Sequence, residues 1–228
     1  MGFDIYYLVL VVPAIILSIW AQAQVKGTFA KFSKIRTIDG ATGEQAARAI
    51  LDGNGLQSVR IEHIAGELTD HFDPRDNIVR LSDSVYASAS VAAVGVAAHE
   101  CGHAVQYAKG YTPMKLRSAI IPVTNIGSKL SIPLVFLGIV LSMGSLINLG
   151  IILFSTMTLF QLVTLPVEFN ASHRALVTLE GTHMLEDGEI SGAKKVLKAA
   201  ALTYVAALLV SATQLLRMVL ITRSRDRD

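Results

Sequence analysis

The chain has 228 residues, 52% hydrophobic and only 17% charged, with a mean hydropathy of +0.49, which is too apolar for an ordinary soluble domain and points to the membrane class. A formal net charge of +2 is too small to suggest a nucleic-acid partner, and no basic block is interleaved with aromatic residues. The single cysteine, Cys101, excludes an intrachain disulfide and a cysteine-rich metal cluster, and reads as a small apolar filler.

No charge falls between Asp4 and Lys26. The stretch IYYLVLVVPAIILSIWA, at about 1.5 Å per helical residue, is long enough to cross most of a bilayer core. The AQA at Ala21 to Ala23 resembles a signal-peptide cleavage site. The absence of Lys or Arg before the apolar run, and the length of that run, instead favour an uncleaved anchor over residues 1–25.

A polar α+β section is expected over residues 26–117. In TGEQAARAILDGNG, Thr42 can cap a short helix, Ala47, Ile50 and Leu51 form its apolar stripe, and Gly53-Asn54-Gly55 stops it. SVRIEHI alternates as a strand does. DHFDPRDNIVRLS predicts a turn at Asp73-Pro74-Arg75-Asp76 and a second strand from Asn77 to Leu81, an edge along which an extended substrate can lie. A long helix is expected from Asp83 to Tyr107, ended by Gly110.

From Leu130 to Val167 there is no charged residue over 38 positions. At about 1.5 Å per residue that is ~57 Å, against roughly 60 Å for two crossings. A transmembrane hairpin over residues 118–167 follows, turning near MGSLINLG (Met143 to Gly150), with its first arm starting near Ala119 and Lys129 snorkelling or facing protein. Residues 168–198 read as a polar segment. AAALTYVAALLVSATQLL then supplies a fourth span within residues 199–228, which end in a basic tail.

Lys26, Lys31, Lys34 and Arg36 follow the first span; Lys109, Lys115 and Arg117 precede the second; the hairpin tip carries no Lys or Arg. The positive-inside rule places the polar sections on the cytoplasmic side. Arg223, Arg225 and Arg227 run against that orientation.

The chemistry lies in AVGVAAHECGHAVQYAKG. Positions four apart on a helix are separated by about 40° around its axis, so His99 and His103 share a face and can both reach one zinc ion. Glu100, offset by one residue, stands beside such an ion, where it can take a proton from a bound water. Ala92 to Ala98 and Ala104 to Val105 make this helix apolar nearly all round. Burying two imidazoles and a carboxylate without partners would cost several kcal/mol, which one zinc ion per chain offsets. The third ligand can be His, Asp or Glu. Glu168 is the leading candidate, since the hairpin returns it to the membrane face from which the chain left the His-bearing helix. Glu180, Glu186 and His183 are rivals. Ser172, one turn beyond Glu168, can orient a ligand. His173, Arg174 and Tyr204 are weaker candidates for stabilising an oxyanion; His173 and Arg174 equally suit a headgroup or solvent face, and Tyr204 a packing position.

The fold class is therefore mainly α: a multi-span transmembrane helical bundle carrying a small α+β zincin-like unit with an H-E-x-x-H helix. The segments DPRDNIVRLS, AAVGVAAHECGHAVQ, FQLVTLPVEFNASHRAL and AAALTYVAA resemble the YugP-type family of neutral zinc metallopeptidases, multi-pass proteins of bacterial membranes. The resemblance covers nearly everything after the first span. It implies zinc on His99 and His103, Glu100 as catalytic base and Glu168 as glutamate ligand. The chain departs from the family pattern at Asn170, where Asp is usual, and at His173, where Arg is usual, so a charge role at those two positions is not carried over. The implied activity is an endopeptidase acting on membrane-associated or unfolded proteins, with the lipid bilayer and protein or peptide substrates as partners. A membrane scaffold with a structural zinc site is the alternative. Metal transport ranks last, because only Lys129 and Arg217 carry charge near the spans.

Overall fold

The computed structural model describes residues 4–225, with side chains described through Thr222. Of the expected basic tail, Arg227 lies outside the described residues, and Arg223 and Arg225 are described by their backbone alone. A π-helical stretch at Tyr7–Val11 opens into α1 (Val12–Phe32). There follow α2 (Gly43–Gly53), β1 (Arg60–Ile64), β2 (His71–Asp73), β3 (Ile78–Ser82), α3 (Val91–Ala108), α4 (Thr112–Val140), α5 (Gly144–Gly181) and α6 (Asp187–Arg225). The chain divides into two compact units. One takes the described residues up to Ala21, Lys115–Pro166 and those from Thr203 onward; the other takes Gln22–Met114 and Val167–Leu202.

Four helical stretches among the described residues are long and apolar enough to cross a membrane: Tyr7–Phe32, Thr112–Val140, Gly144–Gly181 and Asp187–Thr222. A helix is therefore present at each expected span, and each is longer than the apolar run that announced it. The first hairpin arm starts at Thr112 rather than near Ala119. Residues 168–198 are the end of α5, a short turn and the start of α6, because their polar residues interrupt hydropathy without breaking the helical backbone.

In the first unit, α4 and α5 pack as an antiparallel hairpin. The connection is tighter than expected, occupying Leu141 to Met143. Ser142 adopts φ +55°, while Met143 N–H donates to Gly138 O at 2.8 Å and Ser142 N–H to Ile139 O at 3.3 Å. This left-handed cap uses up the last carbonyls of α4 and lets α5 begin at Gly144. Close approach continues along the pair: a Cβ on Gly150 would lie 2.8 Å from the Ser131 carbonyl oxygen, and small residues at such crossings are how apolar helices associate in lipid. Ile16, Ile132, Phe136, Ile152 and Leu159 are all at least half exposed, an apolar exterior suited to lipid. Lys129 is also exposed, so it does not face protein. Arg217, 4% exposed, donates to Asp4 Oδ2 from Nη2 at 2.6 Å and from Nε at 3.0 Å, and its guanidinium lies 5.0 Å from the Tyr7 ring centre. This buried cation of α6 is thereby held against a carboxylate and an aromatic ring.

In the second unit, Thr42 caps α2 as expected. Gln45 N–H donates to Thr42 Oγ1, and the Gln45 side chain accepts from the Thr42 N–H, a reciprocal capping box. Ala46, Ala47, Ile50 and Leu51 are buried against Val79, Leu81, Val94 and Ala98 in one core. The three strands order as β1-β3-β2, with β1 parallel and β2 antiparallel to β3. The expected strand at Asn77 to Leu81 thus exists as β3 but is the central strand, so it offers no edge to a substrate. The short β2, missed in the sequence, pairs with it across the turn at Pro74 to Asn77.

The helix expected from Asp83 starts later, at Val91. Asp83 is held elsewhere: its carboxylate accepts from Gly66 N–H at 2.8 Å and contacts His63 Nε2 at 2.7 Å. Ser90 supplies the cap instead, its Oγ accepting from Ala93 N–H at 3.2 Å. From Val91 to Gln106 every residue of α3 is buried except Val96 and His99, which are half-buried. The helix apolar on all sides is an internal one, as its composition requires.

Candidate metal centre

Two segments of the second unit build the site: α3, and the part of α5 that begins at Val167. They meet at Gly102, within the H-E-x-x-H sequence, where a Cβ would lie 2.7 Å from the Ala171 carbonyl oxygen. Only glycine allows this approach, which sets Glu168 and Ser172 against the imidazoles.

His99 Nε2 lies 3.3 Å and His103 Nε2 3.5 Å from Glu168 Oε2. The imidazole rings are 4.7 Å apart, centre to centre, and nearly perpendicular at 83°. One ligand atom from each of the three residues falls within 4.8 Å of the others. Glu168 and His103 are 2% and 6% exposed. Burial pushes the His103 imidazole down, and the Glu168 and Glu100 carboxylates together with the Gln106 side chain outweigh it, holding its pKa above the usual histidine value.

The remaining ring nitrogens are also engaged. Ser172 Oγ, one turn beyond Glu168, lies 3.1 Å from His99 Nδ1. Gln106 Oε1 lies 3.0 Å from His103 Nδ1, a contact not anticipated from the sequence, although the three-residue spacing places both side chains on one helix face. Two imidazole nitrogens, whose outer ring nitrogens are held, and a carboxylate oxygen form a donor set that suits zinc. His99, His103 and Glu168 would hold the ion.

Glu100 is 8% exposed, beside the imidazoles on α3. Cys101 is fully buried at 3.5 Å from the Ala47 carbonyl oxygen, and burial pushes its thiol up; it is a packing residue, as expected. Arg174 donates from Nε to Asn170 Oδ1 at 2.7 Å. His173 and Arg174 line a groove of about 370 Å³ between α2, α3 and α5, together with Asn170, Gly102 and Lys109. Glu180, His183 and Glu186 are not gathered to the imidazoles; they line a separate hollow of about 510 Å³ at the α5–α6 turn with Asp39 and Asp187. Tyr204 belongs to the first unit.

A family model described as "Putative neutral zinc metallopeptidase" matches residues 7–223. The chain is similar to "Putative membrane protease YugP" of Bacillus subtilis (strain 168), with 50% identity over 224 residues, covering 97% of this chain and 99% of that protein. No solved structure matches. With the family's match running through both polar and apolar segments, the chain belongs to the "Putative neutral zinc metallopeptidase" family and is a membrane protein of that kind.

Proposed function

We propose that this chain is a membrane-embedded zinc endopeptidase that hydrolyses peptide bonds of membrane-associated or unfolded proteins. The observation that carries the reading is the convergence of His99 Nε2, His103 Nε2 and Glu168 Oε2, with Glu100 buried next to them on α3. When bound there, zinc supplies Lewis acidity that polarises a scissile carbonyl and acidifies the attacking water. Glu100 accepts the proton of that water and passes it to the leaving amine nitrogen, so one carboxylate serves as base and then as acid. Ser172 and Gln106 hold the outer nitrogens of the two imidazoles so that the inner nitrogens stay aimed at the ion. A structural zinc site normally closes with a fourth protein ligand. Among the described residues the cluster supplies three, which leaves a position for substrate or water.

The bilayer and protein or peptide substrates are the partners of this reading, with no nucleic acid, and the lysines and arginines flanking the first two spans support a cytoplasmic site. The test compares purified wild type with Glu100→Gln on a casein-like and on a membrane substrate, with bound zinc measured in both. Loss of cleavage with zinc retained is expected. Equal cleavage by both forms, each loaded with zinc, would remove the peptidase reading.

A further inference from the structure

Gln106, which holds the outer nitrogen of His103, is a fully buried amide, 0% exposed. Such a group is costly to bury unless its donors and its acceptor are used. Its Nε2 lies 2.8 Å from the Val167 carbonyl oxygen and 3.0 Å from Asn170 Oδ1. A main-chain carbonyl only accepts, so the group facing it is the NH2. The atom facing His103 is then Oε1, at 3.0 Å, and Oε1 also only accepts. The hydrogen between them must therefore sit on His103 Nδ1.

That assignment leaves the lone pair of a neutral His103 on Nε2, the nitrogen that faces Glu168 Oε2. Asn170 agrees with the same sense. Arg174 Nε can only donate, and it points at Asn170 Oδ1 from 2.7 Å, so that oxygen accepts from both Arg174 and Gln106. Every hydrogen bond in the run Arg174, Asn170, Gln106, His103 has one possible direction. Ser172 gives no such constraint on His99, since a hydroxyl can donate or accept.

We infer that Gln106 is a positioning residue that selects the Nδ1–H tautomer of His103 and so presents Nε2 as a metal ligand. This rests on the metal-binding reading above. It also explains an amide at 106 rather than an apolar residue: a leucine of similar volume would fill the space and leave both the ring and the Val167 carbonyl unheld.

The test measures zinc affinity of the full-length protein in detergent by competition with a chromogenic chelator, and thermal stability of the metal-free form, for wild type, Gln106→Leu and Gln106→Glu. Leu keeps volume and removes the acceptor; Glu keeps an acceptor for His103 Nδ1. A loss of ~10–100-fold in zinc affinity is expected for Leu, with Glu remaining within about threefold of wild type. A merely structural role predicts the reverse order, because Glu sets a carboxyl against two carbonyl oxygens. Leu binding zinc as wild type does, or Glu weakened as much as Leu, would overturn the inference. Failure of wild type itself to bind zinc would instead remove the metal reading on which it rests.

Discussion

The position where a Gly102 side chain would begin lies 2.7 Å from the Ala171 carbonyl oxygen, so α3 and α5 touch backbone to backbone one residue before His103 and three after Glu168. The candidate metal cluster depends on this contact, because its imidazoles come from one helix and its carboxylate from the other. Gly102→Ala should therefore push the helices apart. We expect a loss of about 1–3 kcal/mol in stability from overpacking, together with weaker zinc binding. Melting in detergent and chelator competition measure the two effects. Wild-type zinc affinity in this variant would show that the contact does not set the cluster.

In the proposed reading Glu168 is the third ligand, its Oε2 lying 3.3 and 3.5 Å from the two imidazoles. Glu168→Ala is expected to lower bound zinc from about one ion per chain to well below that at micromolar free zinc, leaving two imidazoles as an incomplete site. Elemental analysis of the purified protein reads the stoichiometry directly. Full occupancy in the variant would move the third ligand elsewhere.

Ser172 holds the outer nitrogen of His99 at 3.1 Å. Ser172→Ala should reduce zinc affinity by ~10–100-fold while leaving the melting temperature of the metal-free protein nearly unchanged. An unaltered affinity would assign the hydroxyl to packing.

Arg217 donates from Nε and Nη2 to one oxygen of Asp4, joining residues 213 positions apart within the first unit. Asp4→Ala removes the carboxylate to which the buried Arg217 guanidinium donates and should destabilise the protein by ~1–3 kcal/mol. Asp4→Ala combined with Arg217→Met should recover part of that loss, since the buried charge is gone with its partner. Detergent melting of the single and double variants decides it. A double variant no more stable than the single one would show that charge compensation is not the issue.

Asp73, in the β2–β3 hairpin, accepts from the Arg75 N–H and side chain and from Arg80, and burial only partly opposes them, so its carboxyl falls from 3.8 to about 2. A carboxyl whose folded pKa is depressed adds stability that is present above the unfolded value and is lost as pH falls through the folded one. The stability difference between wild type and Asp73→Asn should thus be constant above about pH 5 and shrink between pH 4 and pH 2. Melting midpoints across that range provide the measurement. A difference independent of pH would show that the ion pairs contribute nothing.

Local chemistry in the sequence determined much of this protein. The apolar runs announced the spans, because apolar length is a property of contiguous residues. The four-residue spacing of His99 and His103, and the capping pair Thr42 and Gln45, needed only the helical repeat. What required the tertiary structure were groups whose partners lie far along the chain. The strand Ile78–Ser82 became central through pairing with both β1 and β2, and no run of residues encodes strand order. Helix α3 begins at Val91 because Asp83 is occupied by Gly66 and His63. The place of Gln106 likewise depended on Val167 and Asn170, 61 and 64 positions away. Periodicity is written in neighbouring residues, whereas the direction of a buried hydrogen bond is decided only when distant segments are packed together.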